Sequence, residues 1–383
     1  MRKPHVPAFV AAVAFAATCA LGASTLQTVA APATQPAFPD WAMKAFPDDI
    51  TRLMRFDRVK EAEALGDKQL AALANAPDKT TEYLQTVVSM CHLYLALNRS
   101  EEAQKLLSTG LKALDAAKLP GKEKDLDVAR AGLEGVQSSL ALSRDQPDRA
   151  AEFAKSALAR LQKDLPAGDV RIIDQQLEVE HLKIRTAGEG TVADAFRVFS
   201  DAIKGYTAAL GTEECAPIAD VYMSRGYYYL NNIKNLTRAT ADFTQARKVR
   251  QNIYGENSEV GDAMEALALI ATINNDDDGA IKLLREARTM TLKVIGEDDP
   301  AVAGIDMSIA AALDRKGSPD EAEKLLVKAV SVFEKYPDTK DQLADALDLL
   351  SEHYGAHGND DKANETKDRA NKIREDMKKH QEL

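Results

Sequence analysis

The chain has 383 residues, 45% hydrophobic and 28% charged, enough for a large core or an extended repeat array. Aromatic residues are only 5% of it, which speaks against a β-sandwich, because pleated sheets draw on β-branched and aromatic side chains. A net charge of −11, with no basic cluster, argues against nucleic-acid binding, which needs Lys and Arg to neutralise phosphate.

The N-terminus reads as a secretion signal over residues 1–23. Arg2 and Lys3 give a positive start, Val6 to about Leu21 an apolar Ala-rich run, and Gly22, Ala23 and Ser24 a small-residue exit, with a second candidate cut after Ala30 or Ala31. The run is short and weakly hydrophobic for a membrane span. The expectation is export to the periplasm or outside the cell, with no stable membrane span after cleavage. Tethering by an uncleaved signal is the alternative. The residues before Cys19 lack a lipobox. Residues 24–40 read as a Pro/Ala/Thr linker. Cys91 and Cys215 then remain, expected as separate buried or half-buried thiols and not as a disulfide.

From residue 41 the chain repeats. Alanines after acidic turns stand at Ala62, Ala103, Ala150, Ala195, Ala239, Ala280, Ala322 and Ala363, spaced 41 to 47 residues apart. Seven residues after each come Gln69, Gly110, Ala157, Ala202, Ala246, Ala287, Ala329 and Ala370. Small residues in seven of those eight slots are far above background, so the period is real. Leu107, Phe199, Phe243, Leu284 and Leu326 stand four after their anchors, with Ala154 in the remaining interior repeat. Positions 0, +4 and +7 share one helix face. Small residues there let a neighbour approach, and the large one fills the gap. Each such helix follows another amphipathic helix, as in "TTEYLQTVVSMCHLYLALN" and "DQLADALDLLSEHYGAHG". Neither buries its stripe alone, so the pairs must stack. The expected fold class is an all-α solenoid of about eight helix pairs over 41–380. The pattern is clearest over 215–370, and 338–380 serves as a cap because Lys367 replaces the large apolar residue.

"IDMSIAAALDRKGSPDEAEKLLVKAV" and "DVYMSRGYYYLNNIKNLTRATADFTQA" resemble the tetratricopeptide repeat family. The second shows the family's aromatic, Gly and Ala pattern at Tyr222, Gly226, Tyr229, Ala239, Phe243 and Ala246, with about one extra residue in the turn. "IGEDDPAVAGIDMSIAAAL" is similar to the linker of the longer kinesin-light-chain units. The resemblance is weak over 42–75, where the first helix reads poorly and Gly66 takes the large-residue slot. It implies a right-handed superhelix whose concave groove is lined by the first helix of each pair. Projecting the family's inward positions names Glu180, Ile184, Met223, Tyr227, Asp262, Glu265, Leu269 and Met307 as the candidate groove. That lining is mixed apolar and acidic, so the expected ligand is a protein or peptide segment, extended or helical, and neutral to basic.

No catalytic, cofactor or metal set stands out. There is no G-x-S-x-G, Walker loop or G-x-G-x-x-G, and Gly188–Gly190 is only a repeat turn. His353 and His357 would share a helix side, and Glu352, Asp360 or Asp361 could offer a third ligand. Gly355 and Gly358 weaken that helix, and the reading is surface histidines near a helix end. "NNDDDGAIKLLRE" imitates a calcium loop but has Arg285 where the closing Glu belongs, which leaves a solvated turn. The functional expectation is a non-enzymatic, exported binding scaffold. The alternative is an accessory of envelope assembly or polysaccharide export, with aromatic and not acidic contact positions.

Overall fold

The computed structural model describes residues 38–46, 48–187 and 192–381. The expected signal, Cys19, most of the linker and the Gly188–Gly190 turn lie outside them. Among the described residues there are helices and no strand, and they divide into two compact units, 38–225 and 226–381.

The first unit opens with two short helices, α1 (Asp40–Ala45) and α2 (Asp49–Arg55), followed by α3 (Val59–Leu73). Three pairs follow: α4 (Thr80–Ala96) with α5 (Ser100–Ala116), α6 (Glu123–Ser143) with α7 (Pro147–Asp164), and α8 (Val170–Ala187) with α9 (Val192–Leu210). Helix α10 (Ala216–Tyr228) follows, most of it in this unit. Partners pack on each other, and α3, α5 and α7 also pack on the next first helix, so burial is shared between neighbours. The second unit holds α11 (Leu236–Tyr254), then α12 (Ser258–Ile273) with α13 (Asp277–Ile295), α14 (Pro300–Arg315) with α15 (Pro319–Phe333), and α16 (Lys340–Ala356) with α17 (Asp360–Gln381).

The repeat period is the packing period. Ala62, Ala103, Ala150, Ala195, Ala239, Ala280 and Ala322 have no exposed surface, while Ala363, in the terminal pair, is only half-buried. Seven residues on, Ala157, Ala246, Ala287, Ala329 and Ala370 are also fully buried. Leu107, Phe199, Phe243, Leu284 and Leu326 fill the space between, each burial contributing about 1.5–3 kcal/mol. A second device recurs at fixed spacing. Cys91 Sγ, Ser138 Oγ and Ser351 Oγ each donate to an anchor carbonyl twelve residues on, those of Ala103 (3.4 Å), Ala150 (3.1 Å) and Ala363 (2.7 Å). A small polar group thus ties first helix to second without obstructing their approach.

Turn chemistry sets the helix ends. Asn257, Asp276 and Asp299 cap α12, α13 and α14 by accepting from the backbone N–H groups of Glu259, Gly279 and Ala301, each worth about 1 kcal/mol. Pro147, Pro300 and Pro319 open their helices, where the missing N–H costs nothing. Gly317 (φ 78°) supplies the left-handed residue between α14 and α15. The acidic run before Ala280 is structural: Asp276 caps, while Asp277 and Asp278 pair with Arg315 and Lys316 of the following repeat. The extra turn residue after α10 is absorbed by a wider, π-type turn over Tyr229–Ile233, closed by Lys234 at φ 59°.

The poorly reading first repeat has a concrete form. Its first helix is replaced by α1 and α2, two helices of 6 and 7 residues. At Gly66 a Cβ would lie 1.9 Å from the Met90 sulfur, so Met90 of α4 fills from across the interface the space that Leu or Phe fills elsewhere.

Candidate functional site

The inward positions named from the sequence separate into three groups. Tyr227, Asp262 and Glu265, all in the second unit, come together. Asp262 and Glu265 stand three apart on α12, one turn of the same face. Burial pushes the Glu265 carboxyl well above its usual range, and Asp262 adds like-charge repulsion. Burial likewise raises Tyr227, with Glu265 and Asp262 contributing. The nearby cation is Arg250, which α11 sends beneath α12. Its guanidinium meets Glu259 at 3.0 Å, donates to the Glu259 carbonyl at 2.6 Å, and reaches Asp262 at only 3.9 Å. Tyr227 also packs edge-on against Phe243, ring centroids 4.9 Å apart. Leu269 is half-buried on the same helix.

Met223, Met307 and Glu180 are buried, at 5%, 3% and 2% exposure, which makes the two methionines packing residues as much as lining ones. Glu180 pairs with Lys183 at 3.3 Å. Ile184 lies in α8, and its side chain is outside the described residues.

The first unit contains a site that sequence reasoning missed. Helix α2 packs on α3 and also on α4, while α1 reaches α9, so the opening segment touches helices far along the chain as well as its neighbours. It is rich in aromatic and arginine side chains. Trp41 stacks with Phe56 (6.3 Å) and meets Phe46 edge-on (6.2 Å), while Arg52, Arg55 and Arg58 sit over Phe38 or Phe46. Arg55, 8% exposed, bonds to Asp220 of α10 across 165 residues of sequence. Tyr206, buried in α9, donates to Asp174 of α8. Asp174 keeps solvent-accessible surface, yet the protein around its carboxyl raises its pKa to about 6. The Tyr206 bond and Arg55 oppose that rise, and Asp220 adds to it. Two first helices thus present carboxylates to an arginine- and aromatic-bearing helical segment. No local pattern could have revealed this, because its members come from distant repeats.

Three smaller expectations have plain outcomes. Cys91 and Cys215 are free and buried, and burial pushes their thiols up to about 12 and about 11, so neither is a thiolate nucleophile at neutral pH. His353 is not a surface residue: it is 4% exposed and faces Asp314 of α14. The acid beside the two histidines is therefore Asp314, and not Glu352, Asp360 or Asp361.

Residues 260–301, which run from α12 through α13 to the start of α14, match the tetratricopeptide repeat family model. No curated protein matches the sequence. Among solved structures, a Rap protein complexed with Competence and Sporulation Factor is similar at 11% identity and TM-score 0.57, covering 88% of this chain and 99% of that one. The apo quorum sensor NprR from B. thuringiensis is similar at 13% identity and TM-score 0.57, covering 87% of both chains. A putative kinesin light chain repeat protein from Podosopora anserina matches at 16% identity, covering 64% of this chain and 95% of that one, with a TM-score of 0.34. At these identities the likeness to the Rap protein and to NprR speaks for fold alone. The matched segment, the buried alanine period and the packed pairs agree on the fold: the described helices pack in consecutive pairs, and residues 260–301 among them match the tetratricopeptide repeat.

Proposed function

We propose that the protein is a non-catalytic, exported scaffold that holds a protein or peptide segment against the first helices of its repeats, and that the segment is helical or extended and basic. The observation that carries this is the seating of α1 and α2. The carboxylate of Asp220 already receives a helical segment through Arg55, which sits beside an aromatic cluster, with Asp174 close enough to feel both charges. Physical chemistry points the same way in the second unit. Glu265 beside Asp262 is held in a state where its ionised form is disfavoured. A Lys or Arg brought to that spot would restore ionisation, and the gain would appear as affinity. The acidic character of these positions favours a basic protein segment over the glycan-facing alternative. Export rests on the N-terminal signal pattern. No described helix is long and apolar enough to cross a membrane.

The test is capture from an envelope extract with the chain from residue 24 onward, compared with its Asp262→Lys/Glu265→Lys variant. A partner kept by the first and lost by the second supports the reading. Equal capture removes the acidic face from it.

A further inference from the structure

The geometry points to a zinc-class metal site formed by Asp314, His353 and His357 at the shared end of α14 and α16. His353 lies in the last turn of α16, and His357 follows its last residue, so one helical turn carries both rings to the same side. The rings are 4.8 Å apart. Both face one carboxylate. His353 Nδ1 lies 2.8 and 2.9 Å from the two Asp314 oxygens, and His357 Nε2 lies 3.4 Å from one of them. One candidate ligand atom from each residue falls within 4.8 Å of the others.

A structural ion pair needs only one imidazole against an acid. Here a second imidazole converges on the same carboxylate, and this is the donor set of a three-ligand site. A tetrahedral ion about 2.0–2.1 Å from N and O ligands places those ligands roughly 3.3 Å apart. The His357–Asp314 edge of 3.4 Å already has that length. The His353–Asp314 edge has to open by about half an ångström, a change within reach of a side-chain rotation. Two imidazoles and one carboxylate suit zinc, or copper and nickel, over magnesium and calcium, which take oxygen-rich sets. His353 is buried and Asp314 mostly so, while His357 is 40% exposed, so an ion would enter from the His357 side and keep its fourth position there for water. Bound, it would tie the first helix of the terminal pair to the first helix of the pair before it. That makes it a clamp on the end of the array, where only one neighbour supplies packing. The expectation of no metal site from sequence considered only acids near the histidines in the chain. Asp314 is 39 residues away from His353 and arrives through the stacking.

Isothermal titration of the chain, stripped with a chelator, against zinc chloride tests this, with magnesium chloride as the comparison. Saturable one-to-one binding of zinc, absent with magnesium, is expected, with a rise in the thermal midpoint that chelator reverses. His357→Ala removes an exposed ligand without disturbing packing and should leave metal-free stability unchanged while weakening zinc by at least about tenfold. Asp314→Asn, which keeps the acceptor and the shape, should weaken it to a similar degree. Absence of zinc binding overturns the site. So does binding that both variants retain, which would assign the metal to another imidazole such as His92 or His181.

Discussion

Gly226 and Gly355 both sit within first helices, and the structure predicts that the same change stabilises at Gly355 and does not at Gly226. A Cβ on Gly226 would lie 2.6 Å from the Phe243 ring, which is itself fully buried and held edge-on by Tyr227. At Gly355, which is exposed, the nearest atom to a Cβ is 3.8 Å away. Glycine to alanine in a helix interior gains about 1 kcal/mol from backbone propensity. Gly355→Ala should realise that gain. Gly226→Ala meets an overpacking cost of about 1–3 kcal/mol against the same gain, for a net effect from neutral to about 2 kcal/mol destabilising. Phe243→Leu, which shortens the obstructing ring, should reduce the penalty of the added methyl and produce coupling of about 1 kcal/mol between the two sites. Urea unfolding followed by helical circular dichroism gives the overall shift. Amide exchange in α11 and α17 gives the local one, which matters because repeat arrays unfold in parts. Stabilisation by both alanine variants, or absence of coupling to Phe243, refutes the close-approach role of Gly226.

The remaining predictions concern the face and the ties between helices. Arg55→Ala should cost about 2 kcal/mol by stripping a charged hydrogen bond from Asp220, and should speed amide exchange throughout Asp40–Arg55; unchanged exchange there means the segment is not held by this contact. Asp174 has a folded pKa raised to about 6, so the stability it contributes is full below its unfolded value near 4 and is lost as pH rises towards and through 6. Asp174→Asn should flatten the stability profile between about pH 4 and 6, and an unaltered profile would show that the carboxyl titrates normally. Ser351→Ala should cost about 1 kcal/mol in the α16–α17 pair by removing the bond to the Ala363 carbonyl, measured as a lower thermal midpoint.

The parts of this protein legible in its sequence are those that repeat. Alanines at the anchor and seven residues later can be read because each pair meets the same steric demand, and one register exposes them all. The extra residue near Tyr229 was also visible, as a one-residue excess, though not the π-type turn that absorbs it. Asp262, Glu265 and Tyr227 could be named because the resemblance assigns them fixed slots of the repeat, and the same register brings them near one another. Arg55, Asp174 and Asp220 could not, since their meeting depends on the opening segment touching helices far along the chain and leaves no periodic trace. Asp314 falls between these cases. It lies in the last turn of α14, as His353 and His357 lie at the end of α16, the next first helix, so the repeat frame held the pairing, but acids near the histidines in the chain could not show it.

The most direct measurement is the affinity of the captured partner for the chain and for its Asp262→Lys/Glu265→Lys variant, taken at two pH values. The account predicts at least about a tenfold loss, 1.4 kcal/mol, in the variant. It also predicts tighter binding by the unaltered chain at the higher pH, because a cationic partner favours the ionised form of Glu265, whose pKa burial has raised. Equal affinity of the two chains, with no pH dependence separating them, would contradict it.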